Sequence, residues 1–352
     1  MKKELLIGTA LVSTLGAASV AEAVTATMSG NHQTGLEFDS PTGGSDTRAQ
    51  INDNNFTVSL SETTDGGMTI SSSFMLLNEA GGGSSDEDAG FSLAFTDGSK
   101  LDVLNAGNAS GSHDISVPGS AGAEGVTVTT GNTAPTGLDF MTGATVFGVE
   151  YHSAADFLAD GLKMSFSAST DNGAASGATY GMDNHFAFGG TYVTDLGDSA
   201  VTVGFGYSDS DGAKTGDQMT ADEGGIHVGV SAVTGDLTVA VGFADGDSIE
   251  STGTATNDVQ TDGEVVKAGV KYVSGDLTFN VGVASGTAQD SATAGTAGTT
   301  EDSKDVVSAS VSYAVASGVT AILGYTDVDS SDEGENDTTD GSAWYIGANM
   351  AF

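Results

Sequence analysis

The chain has 352 residues, with 48 acidic and 9 basic side chains, a formal net charge of −39, 52 glycines, 3 prolines and no cysteine. The absent cysteines exclude a disulfide framework and thiolate chemistry, and the missing basic footprint excludes nucleic acid as a partner. A surface this acidic attracts cations and repels anions, subject to screening by salt.

In chain order, Met1-Lys2-Lys3 is a short positive stretch, Leu5 to Val20 is apolar and uncharged, and Ala21-Glu22-Ala23 supplies an A-x-A site. The pattern predicts a cleaved signal peptide over 1–23, leaving 329 residues that carry 7 basic and 46 acidic side chains. No later apolar run approaches the roughly 18 residues that a transmembrane helix needs. If such a chain spans a membrane, it does so as a β-barrel, whose closed ladder satisfies every backbone group in lipid.

The rest of the chain alternates with a period of two. Val201, Val203, Phe205 and Tyr207 are separated by Thr202, Gly204 and Gly206, and Leu237 to Phe243 and Leu277 to Val283 repeat the scheme. Successive side chains of a strand point to opposite faces, so each segment has one apolar and one small or polar face. About sixteen strands of this kind are predicted, near 24–38, 54–63, 68–77, 90–97, 100–106, 144–152, 161–170, 184–194, 199–208, 224–233, 236–244, 264–273, 276–284, 305–315, 318–327 and 342–352.

Their connections alternate in length. Val193, Val233, Val273 and Val315 stand at or just before tight turns, whereas 208–223, 245–263, 285–303 and 327–341 read as long polar links. The near-constant spacing of the turns invites a solenoid reading, but the unit is a hairpin and the links share no motif. One link is out of proportion: 106–143 is rich in Gly, Ser and Ala and holds no full-length alternating strand, and a stretch that long is functional or disordered.

A soluble sandwich also alternates, so the non-apolar face decides. Here it carries mostly Gly, Ser, Thr, Ala and Asn, with occasional Glu150, Lys163, His185, His227, Lys267 and Lys271. Small polar residues toward a lumen and Leu, Val and Phe toward lipid account for this composition. Tyr151, Tyr192, Tyr207, Tyr272, Tyr313, Tyr325 and Trp344 share the phase of the apolar face, as interface girdles do.

The closing run is Trp344-Tyr345-Ile346-Gly347-Ala348-Asn349-Met350-Ala351-Phe352, with Trp344, Ile346, Ala348, Met350 and Phe352 on one face. It resembles the terminal assembly signal of bacterial outer-membrane barrels, with Gly347, Met350 and Phe352 in the expected spacing. Tyr345 departs from the pattern, which commonly has a polar residue there. From signal peptide to closing strand, the chain resembles general-diffusion porins of Gram-negative outer membranes, the alphaproteobacterial type in particular. The resemblance implies an all-β, sixteen-stranded antiparallel transmembrane barrel over 24–352, with short periplasmic turns and long external loops. It also implies insertion into outer-membrane lipid by the barrel-assembly machinery, a homotrimer, and a third external loop folded inward, which 106–143 would supply.

In that family the inward loop carries carboxylates facing basic residues on the wall. Asp114, Glu124 and Asp139 are the loop candidates here, and Lys163, Lys267, Lys271 and Arg48 the wall candidates. A cluster of wall arginines is missing, since Arg48 is the only arginine. The expected function is passive diffusion of small hydrophilic solutes and ions through a cation-preferring pore. The alternatives are a solute-specific channel on the same barrel and a secreted or surface-anchored acidic adhesin or surface-layer protein. Asp209 and Asp211, and Asp327 and Asp329, could hold a structural Ca²⁺, although neither run has EF-hand spacing and a solvated acidic loop is the plainer reading. His32, His113, His152, His185 and His227 form no metalloprotease motif, and no nucleophile elbow or P-loop occurs. No catalytic residue and no cofactor is expected.

Overall fold

The computed structural model describes residues 24–42, 45–78, 90–104, 108–119, 148–169, 180–212, 219–250, 259–290, 300–331 and 340–352. The expected signal peptide, Glu124 and Asp139 lie outside the described residues, as does the side chain of Asp211.

Sixteen strands form one closed antiparallel barrel. They are β1 (Thr25–Pro41), β2 (Thr47–Thr63), β3 (Thr69–Asn78), β4 (Phe91–Ala94), β5 (Lys100–Val103), β6 (Gly148–His152), β7 (Leu162–Ser169) and β8 (Tyr180–Leu196). There follow β9 (Ser199–Gly212), β10 (Met219–Thr234), β11 (Leu237–Glu250), β12 (Val259–Ser274), β13 (Leu277–Asp290), β14 (Thr300–Ala316), β15 (Val319–Ser331) and β16 (Gly341–Ala351). β1 pairs with β16 through eleven residues, Asn31↔Ala351 to Pro41↔Gly341, which closes the ladder and leaves no edge. A sandwich is excluded by that pairing.

Each predicted strand corresponds to one observed strand, but the lengths differ. β9 to β15 continue well into the segments expected to be loops: β10 starts at Met219 rather than near 224, and β11 runs to Glu250 rather than to 244. Apolar alternation marks where a strand touches lipid. Backbone pairing needs only a partner, so the ladder continues past the apolar band, where the outer face changes from Val and Phe to carboxylates such as Asp209, Asp245, Asp262 and Asp329. At the other end, the turns after β8, β10 and β12 are two residues long, Gly-Asp in each case. Gly197, Gly235 and Gly275 take φ of +67°, +56° and +61° there, which is the glycine-first tight turn that matches strand twist.

The faces follow the predicted phase over most of the wall. Tyr192, Tyr272, Tyr313 and Trp344 are exposed on the outside, and Tyr325 stacks on Trp344 with ring centroids 4.5 Å apart. Inside, Ser165, Ser167, Ser208, Ser308, Ser310 and Asn280 are buried along the lumen wall. Tyr345 also points inward and is fully buried, packed in a small apolar cluster with Val306, Ile322, Val328 and Ala343. Its ring lies flat on the wall because Gly35 has no side chain: a Cβ there would stand 2.6 Å from a Tyr345 ring carbon. Gly347, across the strand pair, also leaves room for the Tyr345 hydroxyl.

Candidate functional site: the lumen and the segment laid across it

The connection between β5 and β6 enters the lumen. Its described part, 108–119, begins with a single 3₁₀ turn, Gly111–His113, and then runs extended. It crosses the wall strand by strand. The amide of Ala109 donates to Ser167 Oγ on β7 at 3.0 Å, and Ser112 Oγ donates to Glu150 Oε1 on β6 at 2.6 Å. His113 lies between Thr191 of β8 (Nδ1 to Oγ1, 2.6 Å) and Ser165 of β7 (Nε2 to Oγ, 2.8 Å). His227 Nε2 of β10 donates to the Ser110 carbonyl at 2.8 Å, and Ser308 of β14 donates to the Gly119 carbonyl.

Glycine on the wall makes this path possible. Gly189, Gly204, Gly229, Gly242, Gly269 and Gly282 line the track beneath the segment on β8 to β13. A Cβ on Gly189 would stand 2.7 Å from the Ala109 carbonyl oxygen, and one on Gly229 would stand 2.6 Å from Ile115 Cβ. From Ala109 on β7 to Gly119 on β14 the chain advances ten residues and crosses seven strand spacings.

Burial pushes the His113 imidazole down from its ordinary 6.5 to about 4, and the nearby His152, His227 and Lys163 add to the effect. His113 is therefore neutral at pH 7 and can both donate to and accept from the two hydroxyls that flank it.

The sequence matches the Gram-negative porin family over residues 8–333. The chain belongs to this family. It is a β-barrel channel of the bacterial outer membrane. Solved porins share its fold: one refined at 1.8 Å is 20% identical, covers 93% of this chain and all of its own, and superposes with a TM-score of 0.63. The OmpT outer-membrane protein of Vibrio cholerae (14% identical, 94% and 98% covered, TM-score 0.63) and an anion-selective porin of Comamonas acidovorans (11%, 94% and 100%, 0.61) are similar as well. No curated protein sequence matches significantly.

In this porin Lys163 (β7), Lys267 and Lys271 (both β12) all stand on lumen-facing positions, with Lys163 directly opposite Thr191, one of the two hydroxyls that hold His113. Asp114 follows the 3₁₀ turn, and one of its oxygens lies 3.8 Å from His227 Nδ1. Arg48 requires a correction. It stands opposite Phe38 on the outer face of β2, with its guanidinium carbon 5.8 Å from the Phe38 ring centre, so it does not line the pore. Asp209 shares the outer face of Tyr207 on β9, while Asp327 and Asp329 lie outward on β15, and Asp327 accepts from the Tyr325 hydroxyl at 3.0 Å. The two acidic runs are thus six strands apart around the barrel and do not converge.

Sequence reasoning missed the histidines. They follow no motif, yet register brings His113, His152 and His227 to the same stretch of wall. It also missed Lys100 and Lys304, both on the lumen face. Five of the seven basic residues downstream of the expected signal peptide therefore line the interior.

Proposed function

We propose that this porin is a passive, cation-preferring pathway for small hydrophilic solutes, narrowed by the segment after β5. The observation that carries the reading is the segment's fastening from β6 to β14 by the hydrogen bonds described above. Water, solutes and ions then pass between it and the uncovered wall, with no covalent step. Cation preference is supported by the excess of acidic side chains. Many of them lie toward the long-link ends of β9 to β15, among them Asp209, Asp245, Asp247, Asp262, Asp327 and Asp329. Reversal potential across a tenfold KCl gradient in a planar bilayer tests this: a value of cation sign is expected, and anion preference would overturn it.

A homotrimer is part of the same proposal. Opposed on the outer face of β1 and β2 are His32 with Asn54, Thr34 with Asn52, Leu36 with Gln50, and Phe38 with Arg48. His32 Nδ1 bonds Asn54 Oδ1 at 2.5 Å. Polar and charged groups facing hydrocarbon are costly, so this stripe supports a covered face. Thr34→Cys carrying a benzophenone photo-crosslinker should link native subunits, and absence of any crosslinked band would refute the contact. The closing strand, with Gly347, Met350 and Phe352, is the segment we assign to recognition by the barrel-assembly machinery.

A further inference from the structure

We propose that Asp102, Glu150 and His152 form a lumen site for a divalent transition-metal ion of zinc-like ligand preference. The three residues sit on two adjacent strands, where the β5–β6 register sets Asp102 opposite Glu150 and Lys100 opposite His152. His152 Nε2 is 3.0 Å from Asp102 Oδ2 and 3.5 Å from Glu150 Oε1, and the three ligand atoms all lie within 4.8 Å of one another. Ligands held tetrahedrally at about 2.0–2.2 Å from zinc stand roughly 3.3–3.6 Å apart, so one ion fits with small adjustments. Among the described residues this is the one group of three such side chains that converges.

Each ligand is aimed by a serine. Ser165 Oγ bonds His152 Nδ1 at 2.8 Å and leaves Nε2 directed at the carboxylates. Ser112 Oγ donates to Glu150, and Ser92 Oγ donates to Asp102. Hydrogen bonds of this kind fix ring orientation and ligand basicity at metal centres. Charge points the same way. Glu150 is 2% exposed and directly faces a second carboxylate, an arrangement that destabilises a strand pair unless a cation intervenes. Lys100 Nζ, 2.7 Å from Asp102 Oδ2, offsets one of the two charges, and its side chain is 43% exposed, so it can swing into solvent. One imidazole with two carboxylates favours zinc and its neighbours over the all-oxygen preference of calcium and magnesium. A cavity of about 680 Å³ lined by Lys100, Ser112, His152 and Ser165 gives the ion a route in. Because Ser112 belongs to the segment crossing the lumen, occupancy would also tighten that segment at its root.

Calorimetric titration of the detergent-solubilised full chain with Zn²⁺, in millimolar Ca²⁺ to occupy ordinary carboxylates, tests the site. One saturable ion per chain is expected, and His152→Ala should weaken it at least a hundredfold. Ser165→Ala should weaken it about tenfold, whereas Lys100→Met should strengthen it by removing the competing cation. Heat-modifiable gel mobility reports whether each variant is folded, and Asp102→Asn is the isosteric replacement if one is not. No saturable site in the parent chain, or unchanged affinity in folded His152→Ala, would overturn the proposal. Calorimetry reads the ion directly, so the outcome is independent of ion selectivity or conductance.

Discussion

Replacing Gly229 by alanine tests how closely the inward segment lies on the wall. The new Cβ would be 2.6 Å from Ile115 Cβ and 2.9 Å from Ile115 Cγ1, where ordinary contact begins near 3.4 Å. Ile115 Cβ is fixed to its backbone and cannot rotate away, so the segment must rise by about 0.8 Å, the difference between 3.4 and 2.6 Å. Overpacking of this size costs about 1–3 kcal/mol. The hydrogen bonds that fasten the segment are worth about 0.5–1.5 kcal/mol each, so it should shift toward the pore axis without detaching. Single-channel conductance should therefore fall. Gly242→Ala is the matched control: it stands directly opposite Gly229 in the ladder, yet its Cβ would meet only Val117 Cγ2 at 3.5 Å and the Val228 carbonyl at 4.0 Å. It should conduct as the parent does. Equal conductance in the parent and both variants, all heat-modifiable on gels, would refute the reasoning.

Acid should loosen the same segment. His113 titrates near 6.5 when undocked and about 4 when docked, so docking is fully stable above pH 6.5 and weakens as pH falls through 4. Open-channel noise should rise across that window and stay flat in His113→Gln. Phe352→Ala removes a ring whose centroid is 6.0 Å from that of Phe56. A loss of about 1–3 kcal/mol is expected because the ring is largely exposed, read as a lower temperature of heat modification. Lys100, Lys163 and Lys271 lie toward the short-turn end, while carboxylates crowd the long-link end. At low salt, current should be larger with the long-link side positive, and the asymmetry should vanish near 1 M KCl, where screening acts within about 3 Å. A symmetric low-salt current–voltage curve would remove that axial polarity.

The barrel was legible because lipid on one side and water on the other impose a period of two, as in Val201 to Tyr207 and Leu277 to Val283. The strand ends were not legible, since beyond the apolar band both faces meet water and pairing leaves no trace in composition. Arg48 was misplaced for a related reason. On β2 the outward residues Arg48, Gln50, Asn52 and Asn54 are polar while the inward Ile51 is apolar, so the usual phase is reversed over that stretch. The grouping of Asp102, Glu150 and His152 depends on which residue of β5 faces which residue of β6 across a link of more than forty residues. Only register reveals it. Tyr345 looked like a departure from the closing-strand pattern until Gly35 and Gly347 supplied its bed.

The segment crossing β6 to β14 adds a second layer, one chain wide, as a belt across that half of the wall. A sheet's resistance to bending rises steeply with thickness, whereas the hydrogen-bond ladder itself resists stretching around the circumference and gives little support against flattening. The remaining strands, from β15 through β16 and β1 to β5, are single-ply over the described residues. Lateral pressure from the membrane should therefore deform this side first, changing the aperture by moving the bare wall rather than the lined one. The polar outer stripe lies on that weaker side, so a neighbouring subunit seated there would act as an external buttress, and the pore's calibre would depend on assembly as well as on sequence.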